Sequence, residues 1–377
     1  MKICILTNAH QSKDVRLYYK ISHSLAKIAQ VYLLCPSGIQ QKATNPYQIV
    51  VRGENSWSTL RHLYDAALKL KPDMVICVEP LTVGVGILLK KRLKCALLVD
   101  IHEFYAQAFS ERFHFPFSYL MKALYRGGEN YLNSFTDAAI GVSAEVLTAA
   151  LPLKYDKPTL VLPNYPVRHV WDYDCDVPAE LEVICETDFD LIYIGGLTRG
   201  RGIFHILQMA SLLRNHYPGL KILLVGRFQN PEDEDEFNAQ IISLNLQSLI
   251  YYQEWIPAEK VGILLKRCKV GLWTFDPRNR RMKRALPLKV LEYLAAGLPV
   301  LSTKSTLMKE LIAKNEVGAI CDYNPASMAK AARKLLEMPE TDYEAMRQRA
   351  LQLVDSRYNW EALEDSLVEL IQAFIIS

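Results

Sequence analysis

Two doubly wound α/β domains in tandem are the fold that this sequence predicts, on three observations. The chain of 377 residues is long enough for two ordinary domains. Short apolar runs rich in β-branched residues alternate with amphipathic segments, the pattern of parallel strands buried on both faces and covered by helices. The same rhythm stops and restarts once, around an irregular acidic stretch.

In the first half the strand-like runs are KICILT, QVYLLC, YQIVV, DMVICVE and CALLVDI. Amphipathic segments such as Asp14 to Ile28 and Ser56 to Leu70 separate them. In the second half the runs are FDLIYIGG, LKILLVG, SLIYYQEWI, KVGLWTF, LPVLST and GAICDY. The stretch NYPVRHVWDYDCDVPAELEVICETD, acidic and with two prolines, is the expected linker. The expected boundaries are a first domain over 1–166, a second over 187–356 and a terminal segment over 357–377. That segment carries Leu363, Leu367, Leu370, Ile371 and Phe374 on one helical stripe. The pattern fits a helix that crosses back to the first domain and equally a surface helix of the second.

Composition narrows the class. Half of the residues are apolar and 23% are charged, as in soluble globular proteins. A net charge of +3 argues against a dedicated nucleic-acid binder. The eight cysteines form no C-x-x-C pair, and several lie in apolar runs, as reduced core cysteines do; the expected location is cytoplasmic. The apolar run at the N-terminus is too short for a signal peptide, and no stretch reaches the ~18 apolar residues of a spanning helix. G-x-G-x-x-G after the first strand, G-x-x-x-x-G-K-[ST], G-x-S-x-G and metal-ligand clusters of His or Cys are all absent, which sets aside several familiar chemistries.

What remains is a set of turns at strand ends, where ligands of doubly wound domains bind. In YIGGLTRGRGIFHIL a strand ends at Gly195-Gly196, a turn carries Arg199 and Arg201, and a helix starts near Gly202. Glycines admit close backbone approach, and a helix N-terminus with a forked arginine suits phosphate oxygens. The plain alternative is a glycine turn with solvated arginines. A second basic turn, RNRRMKRALPLK, follows the strand KVGLWTF and opens another helix. Together the two turns read as a diphosphate site with Arg201 and Lys289 as its main cations. Glu292 lies three residues after Lys289 on the same helical face. A carboxylate repels phosphate but accepts two hydrogen bonds from a vicinal diol, so diphosphate and ribose together indicate a nucleotide. The alternative for Lys289 and Glu292 is a surface ion pair, worth only tenths of a kcal/mol.

Over nearly its whole length the chain resembles the retaining glycosyltransferases of the GT-B fold, family 4, and is similar to bacterial surface-polysaccharide glycosyltransferases. HQSKDVRLYYKISHSLAK, LVDIHEFYAQ, ENYLNSFTDAAIGVSAEV, VLPNYP, YIGGLTRGRGI, PLKVLEYLAAGLPVLST and YNWEALEDSLVELI carry the resemblance. It implies two Rossmann-like domains facing across a cleft, with the closing helix crossing back to the first. It implies a nucleotide diphosphate sugar, UDP or GDP type, bound by the second domain through Gly195, Gly196, Arg201, Lys289 and Glu292. Many relatives have an arginine where Gly196 stands, which throws more of the phosphate binding on Arg201. Many also have a glutamate eight residues before Glu292; here that position is Arg284, which could meet an acidic donor sugar or simply phosphate or water. On the first domain the resemblance implies catalytic roles for Asp100, His102 and Glu103, with His10 and Arg16 on the acceptor side. His10 could lie under the cleft floor, and Arg16 could equally be a helix-surface residue.

The implied reaction moves a sugar, as a hexosyltransferase does, to a hydroxyl of a saccharide or lipid-linked saccharide. No cofactor and no metal are expected. A nucleotide-sugar 2-epimerase of the same architecture and a non-catalytic nucleotide-sugar sensor are the rival readings. The aromatic segment FYAQAFSERFHFPFSYLMKALYRGGENYL, with Arg112, Lys122 and Arg126, has two readings: core-packing aromatics, the favoured one, or a peripheral contact with the inner membrane face.

Overall fold

A computed structural model describes residues 1–168, 181–254, 256, 258–279, 282–283 and 286–376, the side chains of 259, 375 and 376 excepted. By internal contacts the chain divides into a first unit, Met1–Asn164 joined by the residues from Trp360 onward, and a second unit, Tyr165–Asn359.

The first unit is built on a seven-stranded parallel sheet. Its strands are β1 (Lys2–Leu6), β2 (Gln30–Cys35), β3 (Tyr47–Val50), β4 (Met74–Cys77), β5 (Ala96–Ile101), β6 (Ala138–Gly141) and β7 (Thr159–Val161), in the order β3-β2-β1-β4-β5-β6-β7. The last two add to the five expected runs. β6 is AAIG, with one β-branched residue, and β7 is only three residues long. The order reverses between β1 and β4, which makes the ends of those two strands the switch point of the sheet.

Local sequence explains much of the helical layer. The helix Ser56–Leu70 starts at Asn55, whose side chain accepts from Ser58 N while the Ser58 hydroxyl accepts from Asn55 N. The segment Asp14 to Ile28 is less regular than its periodicity predicts. It winds as a π-helix over Leu17–Ser22 and as an α-helix over His23–Ala26, with Ile21 N donating to Arg16 O, five residues back. This turn carries Arg16 and Lys20, both buried.

One expectation holds only in part. Phe104, Tyr105 and Leu132 of the aromatic segment lie against the core of the first unit, but Phe115, Phe117 and Tyr119 are 81%, 64% and 72% exposed. The helix Phe117–Asn133 turns its buried side through Glu129 and Asn133 instead.

The second unit holds a six-stranded parallel sheet in the order β10-β9-β8-β11-β12-β13. The strands are β8 (Phe189–Ile194), β9 (Ile222–Val225), β10 (Ile250–Gln253), β11 (Cys268–Trp273), β12 (Val300–Thr303) and β13 (Gly318–Cys321). Alternate residues serve separate cores. Ile222 and Leu224 of β9 enter one core, and Leu223 and Val225 enter the other. That two-faced burial is why these strands read as continuous apolar runs. The switch point of this sheet lies between β8 and β11.

The helix Glu361–Ile376 packs on the first unit. Trp360, just before it, is buried and donates from Nε1 to Ser24 Oγ at 2.9 Å. Lys27 Nζ meets Glu364 Oε2 at 2.6 Å, and Leu367 and Ile371 are fully buried.

Candidate functional site

Two polar clusters stand at the two switch points. In the first unit, β1 runs into Thr7-Asn8-Ala9-His10, and β4, its neighbour across the switch, runs into Glu79. Glu79 Oε1 accepts from the Thr7 hydroxyl at 2.6 Å, and Oε2 accepts from Asn8 N at 3.0 Å. His10 Nδ1 lies 2.8 Å from Asp14 Oδ2, and its Nε2 lies 3.5 Å from Glu79 Oε1. Asp14 Oδ1 also accepts from the backbone N–H groups of Arg16 and Leu17, bracing the turn that follows.

Beneath this cluster lies a buried ion pair. Arg16 donates from Nε and Nη2 to the two oxygens of Asp100 at 3.0 and 2.7 Å, and from Nη1 to Leu162 O at 2.8 Å. Arg16 is therefore not a helix-surface residue. Asp100 Oδ2 also meets His102 Nε2 at 2.6 Å. Asp100 has no exposed surface, and both its oxygens are engaged. It is placed to orient His102 and not to touch a substrate itself. Removing one partner of such a buried pair strands a charge, a loss of roughly 3–5 kcal/mol.

The rings of His10 and His102 meet edge to face, 5.4 Å apart. His102 keeps a little exposure and His10 is about a third exposed, so His10 is at the surface of the cluster and not beneath it. Glu103 is exposed on the same loop and joins none of these contacts among the described residues. Burial opposes charge on His10, but the hydrogen bond it donates to Asp14 and the carboxylates of Asp14, Glu79 and Asp100 outweigh it, so its pKa is raised. Burial likewise opposes ionisation of Asp14, and His10 more than offsets it, so the Asp14 pKa is lowered. Asp100 is held well below the ordinary carboxylate range, because Arg16 and His102 overcome its burial. Asn8 Oδ1 is buried with no hydrogen-bond partner, an acceptor left open at this strand end.

In the second unit, β8 ends at the Gly195-Gly196 turn. The Tyr193 hydroxyl donates to Gly196 O at 3.1 Å. The Arg201 guanidinium lies over the two glycines: a Cβ built on Gly195 would stand 3.1 Å from Arg201 Nη1, and one on Gly196 would stand 3.7 Å from it. A 3₁₀ turn over Arg199–Arg201 leads into the helix Ile203–Arg214, with Gly202 at φ 76° between them. The Thr274 hydroxyl donates to Arg201 O at 2.7 Å, and Asp276 N donates to Gly200 O at 2.9 Å. The turn is thus tied to the end of β11, the neighbouring strand.

Arg199 behaves differently. It pairs with Glu236 and Asp233, and its guanidinium covers the Phe204 ring at 4.5 Å.

The helix Leu288–Ala295 is anchored at the same end of the sheet, because Ile194 N donates to the Tyr293 hydroxyl at 2.8 Å. Lys289 Nζ stands 2.8 Å from Glu292 Oε2. Glu292 is 7% exposed, so this is not a surface ion pair. The contact is close but not aligned as a hydrogen bond, and Oε2 is buried without a donor. The Trp273 indole N–H, at the end of β11, is also buried without a partner. Arg284 lies outside the described residues.

Gly195, Gly196, Arg201, Lys289 and Glu292 therefore share the end of the second sheet, while Asp100, His102, His10 and Arg16 gather at the end of the first. Sequence reasoning missed Glu79, Asp14 and Thr274. Glu79 ends the run DMVICVE, and its strand-end position was the one available signal.

Comparison with known proteins bears on the fold and on the second unit's sequence. Residues 181–352 match the sequence model of the family described as Glycosyl transferases group 1. A curated relative, UDP-glycosyltransferase TURAN of Arabidopsis thaliana, is 28% identical over 107 residues, which take in 28% of this chain and 22% of that protein. Among solved structures, sucrose-phosphate synthase of Thermosynechococcus elongatus superposes with a TM-score of 0.71 at 16% identity, over 100% of both chains. HepE of Anabaena, solved in complex with UDP and glucose, gives 0.67 at 15% identity over 99% of this chain and 100% of its own. At such identities the structural likeness establishes the fold, which is GT-B.

Proposed function

We propose that this chain, whose residues 181–352 match the group 1 glycosyl transferases, moves a sugar from a nucleoside diphosphate sugar to a hydroxyl of a saccharide or lipid-linked saccharide. The observation that carries the nucleotide reading is Glu292. Its buried Oε2 has the Lys289 ammonium 2.8 Å away but no aligned hydrogen bond, which leaves it open to accept one, and a ribose hydroxyl would supply it. Arg201, spread over two glycines beside a helix N-terminus, suits the diphosphate, with Lys289 as the second cation.

In this reading the bond between the anomeric carbon and the diphosphate oxygen breaks as the sugar gains oxocarbenium character. The acceptor oxygen bonds to that carbon on the same face, with retention, and its proton passes to the leaving diphosphate. Arg201 and Lys289 stabilise the charge that develops on the leaving group. His102, oriented by Asp100, holds a hydroxyl of the transferred sugar, and His10 with Asp14 and Glu79 attends to the acceptor side. The HepE complex with UDP and glucose and the naming of TURAN as a UDP-glycosyltransferase favour a UDP-type donor.

The test is incubation of the full chain with UDP-, GDP- and ADP-sugars, with and without a lipid-linked saccharide, and analysis of the products. A glycoside with retained anomeric configuration is the expected product. An epimer or free sugar would make the chain an epimerase, and binding without turnover would make it a sensor. Inverted configuration would refute the retaining mechanism.

A further inference from the structure

We propose that the exposed face of the helix Phe117–Asn133, with the segment before it, is a docking site for an anionic lipid surface. The helix is amphipathic in an inverted sense. Its buried residues are Glu129 and Asn133, while Phe117, Leu120, Leu124 and Tyr131, at helical spacing, are 55–66% exposed. Phe115 continues the apolar surface at 81%. So many large apolar side chains on one stretch leave apolar area in water, which marks an interaction surface.

Charge selects the occupant. Arg112, Lys122 and Arg126 are exposed on the same stretch. The acids there are Glu111, which is exposed, and Glu129, which is buried and whose pKa burial raises to about 7. Lys122 and Arg126, one turn apart, line a groove of about 400 Å³ with Tyr119, Ala123, Gly127 and Asn130. Such a groove is of a size to take a phosphate headgroup between two cations, while the neighbouring apolar stripe enters the acyl boundary. A second copy of the chain would bring these cations against themselves, so like charges oppose that occupant. No described helix is long and apolar enough to cross a membrane, which leaves contact in the plane of the surface.

This inference stands apart from the transfer reading, since its test uses no nucleotide sugar. The full chain is sedimented with vesicles of phosphatidylcholine alone and of phosphatidylcholine doped with phosphatidylglycerol. The wild type should pellet with the doped vesicles and be released by salt. Lys122→Gln with Arg126→Gln should weaken that partition about thirtyfold, two cations' worth of attraction. Leu120→Ser with Leu124→Ser should weaken binding to both vesicle types. Because all four side chains are exposed, the variants should melt as the wild type does. Absence of pelleting at any composition would overturn the proposal, as would equal binding by all variants. Self-association abolished by the leucine pair, without vesicle binding, would assign the face to a second copy and overturn it too.

Discussion

Glu292→Gln should separate ligand recognition from stability. Glu292 Oε2 is buried with no aligned donor, although Lys289 Nζ is 2.8 Å away. An unsatisfied buried polar atom costs about 1–3 kcal/mol, so this position does little to hold the fold. Glutamine keeps the volume and removes the charge. Lys289 is about a third exposed and can rehydrate. Unliganded stability should therefore stay within about 1 kcal/mol of wild type, or rise. Donor binding should behave in the opposite way. A hydrogen bond to a charged acceptor is worth about 1.5–3 kcal/mol, so donor affinity should fall roughly tenfold to 150-fold. At donor one hundred times the wild-type Kd, mass action stabilises the wild type by about 2.7 kcal/mol. A variant weakened one hundredfold would keep about 0.4 kcal/mol of that. Thermal-shift titration reads both quantities, and a donor lacking the ribose 2′-hydroxyl sharpens the assay. Wild type should discriminate against it, and Glu292→Gln should discriminate much less. A large loss of unliganded stability with an unaltered donor shift would refute the reasoning and make Glu292 a structural partner of Lys289.

Arg201→Ala should weaken donor binding by roughly ten- to 150-fold, because it removes a charge-assisted phosphate contact. Arg199→Ala, two residues away but committed to Glu236, Asp233 and Phe204, should leave donor titrations unchanged; equal effects would mean that the turn is read wrongly. Transfer should survive EDTA, since Arg201 and Lys289 supply the positive charge at the leaving group, and inhibition reversed by Mg²⁺ would refute this. His10→Gln should cost most thermal stability below pH 6.5, where His10 is charged in the folded and unfolded chain alike. That contribution is lost as pH rises through the raised folded pKa of His10. The Asp14 side of the pair is lost in the other direction, as pH falls through a folded pKa below 3.8. Melting curves of both proteins from about pH 3 to about pH 9 check this window, and a stability difference independent of pH would contradict it.

The second unit was the more legible half, for a physical reason. Its four central strands, β8, β9, β11 and β12, are buried on both faces, so each reads as an apolar run bounded by a turn. The Gly195-Gly196 pair and Arg201 are close in sequence, so one short stretch displays the turn and its cation together. The first unit's cluster is made of residues far apart in the chain. Arg16 and Asp100 are 84 positions apart, and Thr7 and Glu79 are 72 apart. Only the strand order, with β4 beside β1 and β5 beyond it, brings them together. β6 escaped because alanines carry little strand signal, and β7 because three residues, two of them exposed, form no pattern. The aromatic stretch misled because its composition resembles that of a core, whereas solvent exposure is decided by which neighbours the topology supplies.

The return of the last helix to the first unit sets an order of events at the ribosome. Trp360, Glu364, Leu367 and Ile371 reach the growing chain only after the whole of Tyr165–Asn359 has been made. Until then the surface around Ser24 and Lys27 waits uncovered, while the second unit has all of its own strands in hand. Synthesis therefore completes the second unit before the first, whose strands are made earlier, is sealed. A chain whose translation stops at Asn359 would release a finished second unit attached to a first unit with its apolar seat open, a form that chaperones and proteases could tell from the mature protein.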